Sequence, residues 1–214
     1  MVFNGEYEDT IRNREGVINT SKLMEKILFD SEYLHYDRNR AVIINNGRRT
    51  DVFKQLRTFA EDIDLETEML LFYFCGHGCP DYTSNKLYLA MKDTDFDYAS
   101  DNGIAAETIN EIITQYHIRY YAIILDCCHA GMHSLGSPNK AIYSISINDY
   151  SDSKGAFFIP TIDASSSFST VEIEGKQYSP FSYYFFKTLQ EGVENQFKRV
   201  SFKELYDNVK IHFK

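Results

Sequence analysis

One stretch constrains the fold more than any other: Tyr120-Tyr121-Ala122-Ile123-Ile124-Leu125-Asp126-Cys127-Cys128-His129-Ala130-Gly131. Its first half is apolar, rich in β-branched residues and short enough for a strand. Apolar on both faces, such a run predicts a central parallel strand buried between helices. In open α/β sheets, chemistry gathers at the carboxyl ends of the strands. Here that end carries an acid, two thiols, an imidazole and a glycine. A strand merely running out into a loop accounts for Ile123 to Leu125. It leaves the reactive cluster unexplained.

The rest of the chain supplies partners for this strand. Residues 1–7 read as an edge or first strand. Leu23, Met24, Ile27 and Leu28 recur at helical spacing, predicting a helix over 19–29. Residues 41–44 form a second strand, ended by Asn45-Asn46-Gly47. Thr50 is a candidate N-cap for a helix to 61. Residues 69–74 are a third buried strand, opening into Cys75-Gly76-His77-Gly78-Cys79-Pro80. A short strand over 86–91 and a helix over 104–116 precede the opening strand, with Ile109, Ile112 and Ile113 facing inward. Residues 132–154 lack periodicity and read as a long exposed loop. A strand over 156–162 and helices over 180–189 and 202–213 complete the chain. This alternation predicts an α/β domain with a mostly parallel sheet, right-handed crossovers and helices on both faces.

The length of 214 residues suits one domain with a core of its own. The abrupt start, and a last helix without a C-cap, point to a module of a longer protein. A net charge of −9 argues against a nucleic-acid partner, which would need a basic face. No apolar run reaches membrane-spanning length, so no membrane partner is expected. The four cysteines, Cys75, Cys79, Cys127 and Cys128, cluster in pairs at the ends of two strands. A disulfide scaffold would spread them, so a reducing, cytoplasmic location is expected.

A thiol attacks as thiolate, and a neighbouring imidazole can take its proton. A cysteine in one strand-end loop and His77 in the next meet that need. Gly76 and Gly78 allow the His77 backbone to approach a substrate closely. The Gly78 N–H, with the N–H of the nucleophile, would complete an oxyanion hole. Alternation separates the adjacent thiols. If Leu125 is buried on one side, Cys127 follows it into packing, while Asp126 and Cys128 share the other direction.

These residues match a family. Phe72-Tyr73-Phe74-Cys75-Gly76-His77-Gly78 resembles the histidine motif of caspases and metacaspases. Leu125-Asp126-Cys127-Cys128-His129-Ala130-Gly131 resembles the metacaspase cysteine motif, and His77 and Cys128 are 51 residues apart, close to the roughly 50 of caspase-type enzymes. Gly16-Val17-Ile18-Asn19 resembles the start of the family's first helix, and Ser179-Pro180-Phe181-Ser182-Tyr183 a later one. The resemblance implies a caspase-like three-layer sandwich, with a mostly parallel six-stranded sheet between helices. It divides the single domain, 1–214, into a large-subunit-like part (1–131), an exposed linker loop (132–155) and a small-subunit-like part (156–214).

The resemblance also implies a cysteine endopeptidase acting on protein or peptide substrates through an acyl-enzyme. Cys128 would be the nucleophile and His77 the general base and acid. Gly78 and Cys128 would supply the oxyanion N–H groups. No cofactor is needed for that chemistry. Metacaspases carry an aspartate at the position of Asp126 and cleave after Arg or Lys. Caspases carry glutamine there, and bind aspartate with arginines. Asp126 thus favours cleavage after Arg or Lys. Thr20, where metacaspases have a second aspartate, removes half of the usual acidic pair, and Arg14 falls where caspases place an aspartate-binding arginine, which implies cleavage after Asp as the alternative. Arg14 is also a candidate partner for Asp126 in the free protein. Ser165 and Ser166, after the strand at 156–162, are further candidate substrate-binding residues. Lys140 and Lys154 are candidate self-cleavage sites. Caspase-like domains outside animals are often attached to sensor or scaffold domains, which implies cell death or immune signalling, with a sensor, scaffold or activator as partner.

Two metal readings compete. Cys75, His77, Cys79 and the 127–129 cluster offer soft ligands, but their spacing matches no recognised finger, so no structural metal is expected. Asp93, Asp95, Asp97 and Asp101 make Ca2+ a candidate activator, as in many metacaspases. That run lacks the glycine and glutamate of an EF-hand, with Tyr98 and Ile104 in their places, so a solvated acidic turn is expected. An inactive caspase-like interaction module is the remaining alternative. Such modules lose the dyad that this chain keeps.

Overall fold

The computed structural model of the protein describes residues 1–30, 36–128, 156–160, 170–192 and 201–212. The linker loop, with Lys140 and Lys154, lies outside the described residues, as do His129, Ser165 and Ser166.

In chain order the elements are β1 (Val2–Phe3), α1 (Glu15–Asp30), β2 (Ile44–Asn45), α2 (Arg49–Asp62), β3 (Leu70–Cys75), β4 (Gly78–Asp81), β5 (Lys86–Leu89), α3 (Ala99–Asn102), β6 (Ile104–Ala105), α4 (Ala106–Gln115), β7 (Tyr121–Asp126), β8 (Ala156–Pro160), β9 (Val171–Ile173), β10 (Lys176–Tyr178), α5 (Pro180–Glu191) and α6 (Phe202–Ile211). Five strands form the main sheet in the order β2-β1-β3-β7-β8. Every neighbouring pair in it is parallel. The predicted fold class is therefore the observed one, with five strands of the sheet among the described residues.

Alternation along β3 and β7 sorts side chains into two cores. Phe72, Phe74, Ile123, Leu125 and Cys127 face α2 and α4, where they meet Val52, Leu56, Ile109, Ile112 and Ile113. Tyr73, Cys75 and Ile124 face the other way, against Val17, Met24 and Ile27 of α1 and Phe181, Phe185 and Phe186 of α5, with Leu205 and Val209 of α6 behind. Two apolar layers on one sheet explain why β3 and β7 read as nearly continuous hydrophobic runs.

The sequence expectations differ from the structure at several edges. Helix α1 starts at Glu15 rather than 19, because Gly16 and Val17 are already buried on its inner face. Strand β2 covers only Ile44–Asn45, because β1 offers just two residues to pair with. Ile104 begins a strand, not a helix: Ile104 and Ala105 pair with Leu89 and Tyr88. The loop after His77 is itself strand β4, which pairs antiparallel with β5 in a small sheet ordered β4-β5-β6. The β9–β10 hairpin was not foreseen. Helix α6 starts as expected, because Ser201 and Glu204 form a reciprocal capping box.

Ile124 sits at zero exposure in the middle of β7. Ile124→Ala should lower unfolding free energy by about 2–5 kcal/mol, measured by chemical denaturation, through lost burial plus the cavity left behind.

Candidate active site

Register brings the two motif loops together. Leu70 to Cys75 pair one for one with Tyr121 to Asp126, so both strands run out at the same level. The Gly76 N–H continues the ladder, donating to the Asp126 carbonyl (3.2 Å). The loops then touch at Gly78. A Cβ added there would lie 2.2 Å from the Cys128 carbonyl oxygen and 3.1 Å from the Cys127 Sγ. Only a residue without a side chain permits that approach. The ladder also sets the direction of the Gly78 N–H. The Ala90 N–H donates to the His77 carbonyl (2.9 Å), so the next pair, Gly78 and Leu89, is of the non-hydrogen-bonded kind. The Gly78 N–H therefore points away from β5, off the outer edge that β4 forms among the described residues.

His77 is held at both its backbone and its ring. Its N–H donates to the Tyr7 hydroxyl (3.1 Å). Its Nε2 lies 2.8 Å from the Arg12 carbonyl. A carbonyl only accepts, so Nε2 carries the proton and Nδ1 keeps its lone pair as the basic nitrogen. Tyr7 and Phe96 flank the ring, with centroids 5.3 and 5.4 Å away. Burial among these groups lowers the His77 pKa from 6.5 to about 4; the Arg12 carbonyl partly opposes this, and the Arg14 and Arg12 charges add to it. The imidazole is thus neutral and able to accept a proton down to about pH 4.

The four cysteines, all reduced, divide by environment. Cys127 is wholly buried in the core beneath α2 and α4, as alternation predicts. Burial pushes its thiol far above the usual range, and it does the same to Cys75. Cys79 is pushed up to about 11, also by burial, with Arg12 opposing and Cys128 adding to the rise. Cys128 is 9% exposed at the strand end. Cys127 and Cys75 are therefore packing residues.

Asp126 is fully buried and faces α5. Its Oδ2 accepts from the hydroxyls of Ser179 (2.5 Å) and Ser182, from the Ser182 N–H (3.3 Å) and from the Cys75 thiol (3.6 Å). Ser179 is the N-cap of α5 but does not cap it with its own side chain. The Asp126 carboxylate does this instead, at the positive end of the helix. Thr20 completes the clamp from α1: its hydroxyl accepts from the Ser179 N–H (3.0 Å) and donates to the Gly16 carbonyl (2.6 Å). Arg14 does not join Asp126; its guanidinium donates to the Asn13 carbonyl (2.9 Å). Ser179, Ser182 and Cys75, not Arg14, are the donors at the Asp126 Oδ2.

In the acidic turn the carboxylates are engaged by neighbouring protein groups. Asp93 Oδ2 accepts from Arg48 (2.8 Å), and Asp95 Oδ1 accepts from the Asp97 N–H within its own turn (2.9 Å). Among the described residues, no three His, Cys, Asp or Glu side chains converge as metal ligands. That turn instead supplies Phe96 to the His77 ring. Sequence reasoning named His77, Gly78, Cys128 and Asp126 but missed Tyr7, Phe96 and the Arg12 carbonyl. It noted Ser179 and Ser182 only as part of a helix start; two serines at N-cap and N3 were the available signal for a carboxylate docked there.

Two measurements check this geometry. Gly78→Ala should cost about 1–3 kcal/mol by chemical denaturation, because the atom met is backbone and the strand ends must part. A nitrogen-15 titration of His77 should show a midpoint near 4 rather than 6.5.

The protein-family comparison matches the caspase domain over residues 1–214. Among solved structures, caspase-1 from Spodoptera frugiperda is similar at a TM-score of 0.57 and 13% identity, over 97% of this chain and 72% of that one. The structure of pro-sf-caspase-1 is similar at 0.55 and 13%, over 97% and 74%. At that identity the likeness concerns the fold. The search of curated proteins found no match. Among the described residues, no helix is long and apolar enough to cross a membrane. With a matching model along its whole length, the chain belongs to the caspase-domain family of cysteine peptidases.

Proposed function

We propose that this chain is an active cysteine endopeptidase whose nucleophile is Cys128 and whose general base and acid is His77. The observation that carries this reading is the contact of Gly78 with the Cys128 carbonyl, which joins the two motif loops. His77 Nδ1 takes the Cys128 proton, and the thiolate adds to the substrate carbonyl carbon. The N–H groups of Gly78 and Cys128 receive the oxyanion. The imidazolium then gives its proton to the departing amine, leaving a thioester. Water, deprotonated by His77, adds to the thioester carbonyl; collapse releases the acid and returns the thiol.

The cut falls after Arg or Lys, with Asp126 as the attracting anion two residues before the nucleophile. A second reading, cleavage after Asp, has its own support: Arg14 and Arg12 lie close enough to His77 to influence its protonation, and Asp126 is already engaged by Ser179 and Ser182. Ser165 and Ser166 are proposed as further substrate contacts, and Lys140 and Lys154 as self-cleavage sites. Four reduced cysteines fit a cytoplasmic setting. There a sensor, scaffold or activator protein would link the enzyme to cell death or immune signalling.

Fluorogenic peptides ending in Arg, Lys or Asp decide among these readings. Cys128→Ala should abolish turnover, by at least about 1000-fold. Under the basic reading, Asp126→Asn removes cleavage after Arg and Lys. Under the acidic one, Arg14→Ala removes cleavage after Asp. No turnover on any peptide, or on denatured protein, would return the chain to an interaction module or an enzyme awaiting its activator.

A further inference from the structure

We propose that Tyr7 is a positioning residue for His77, fixing the loop and the ring through one hydroxyl and one aromatic face. This rests on His77 being the base of the site. Tyr7 follows β1, far from His77 in sequence and 3% exposed. Its hydroxyl has a single proton, which goes to the Asn4 carbonyl at 2.6 Å. A lone pair is left to accept the His77 N–H. Both hydrogen bonds therefore have a fixed direction, and burial keeps the phenol protonated well above the ordinary tyrosine range.

Asn4 at the far end of this strut does not yield. It is fully buried, its N–H donates to the Cys75 carbonyl (3.0 Å), its Nδ2 donates to the Ala90 carbonyl (2.9 Å), and its Oδ1 accepts from the Gly47 N–H (2.9 Å). The ends of β1, β3 and β5 and the start of α2 thus bear on one asparagine, and Tyr7 carries that rigidity to His77. The aromatic contacts work in the same direction. Phe96 meets both Tyr7 (5.3 Å, 74°) and His77 (5.4 Å, 88°) edge-on, and the Arg12 guanidinium lies 5.0 Å over Phe96. Gly76 leaves the room: a Cβ there would meet the Phe74 ring at 2.9 Å, the Asn4 carbonyl at 3.0 Å and the Tyr7 hydroxyl at 3.1 Å.

Loss of the hydroxyl leaves the His77 N–H without its acceptor. The loop then relaxes toward water, and the ring loses the burial that keeps it neutral. Among the described residues, Arg12 and Arg14, on the segment before α1, act on His77 by their charge, and the Tyr7 phenol faces it. The thiols of the site are Cys79, on β4, and Cys128, after β7. The two arginines disfavour the imidazolium in wild type and variant alike, so the difference between them reports hydration of the ring.

The test compares Tyr7→Phe with the wild-type chain and with Tyr121→Phe, which removes a hydroxyl donated to Asn110 (2.9 Å) away from the site. Tyr7→Phe should lower kcat by about 10- to 100-fold with KM little changed, as misplacement of a reacting group does. The His77 midpoint should rise from about 4 toward 6.5, while Tyr121→Phe changes neither. A folded Tyr7→Phe chain with wild-type kcat and midpoint, or with only KM altered, would overturn the proposal. If Tyr7→Phe does not fold, Gly76→Ala, which presses on both ends of the Tyr7–Asn4 hydrogen bond as well as on the Phe74 ring, should give the same two changes. Unfolding of both would overturn it too, by making the cluster a condition of folding. If the wild-type chain cuts no peptide, the reading of a chain active on its own falls, and the His77 midpoint alone decides the role of Tyr7.

Discussion

The pairing of β3 with β7 is the constraint on which the rest depends. Six residues of each strand lie side by side in register. A slip of one residue would exchange the two cores, since Phe72 and Phe74 would turn toward α1 and α5, and Tyr73 and Cys75 toward α2 and α4. Burial on both faces makes that slip costly. The same register delivers Cys75 and Asp126 to one level, so that the loops bearing His77 and Cys128 begin together. Placement of the site is thus a by-product of how the core packs. What the sheet does not fix is the orientation of groups beyond the strand ends. That falls to local devices: the absent side chain of Gly78, the Tyr7 strut and the Arg12 carbonyl.

The parts legible in the sequence are those whose signal is local. Strands β3 and β7 announce themselves as apolar runs. The separation of Cys127 from Asp126 follows from period-two alternation, and Cys127 does lie in the core beside Leu125. Strand β4 was hidden because Gly78, Cys79 and Pro80 carry turn chemistry rather than β propensity; Pro80 is tolerated because β4 is an edge. Ile104 was drawn into the following helix by its apolar spacing, although Leu89 claims it as a strand partner. The His77 cage was not legible at all. Tyr7, Arg12 and Phe96 belong to three separate segments, and the Arg12 contribution is a backbone carbonyl, which no side-chain pattern encodes.

Asp126 shows how one residue comes under two demands. Under the proposed basic reading it is the anion that a basic substrate group would meet. As a buried carboxylate it must be satisfied in the absence of substrate, because an uncompensated charge at zero exposure would cost several kcal/mol, roughly 3–5 when a partner is removed. Two serine hydroxyls and the N-terminus of α5 meet that demand. Thr20 reinforces them from α1 by holding the Ser179 N–H.

This solution changes what recognition at Asp126 would involve. A guanidinium or ammonium group that reached Oδ2 would share it with donors already in place, or turn the Ser179 and Ser182 hydroxyls toward itself as acceptors. Hydroxyls can do this, because each carries lone pairs as well as a proton. The Ser182 N–H cannot, and it stays committed to the carboxylate. The Thr20 hydroxyl, in the place of a second acid, adds no charge to attract the cation. The single negative charge is also partly neutralised by the helix end it caps. Attraction of a basic residue to this pocket is therefore weaker than two free carboxylates would give. Arg14, its guanidinium turned to the Asn13 carbonyl rather than to Asp126, is the charge left to weigh against it.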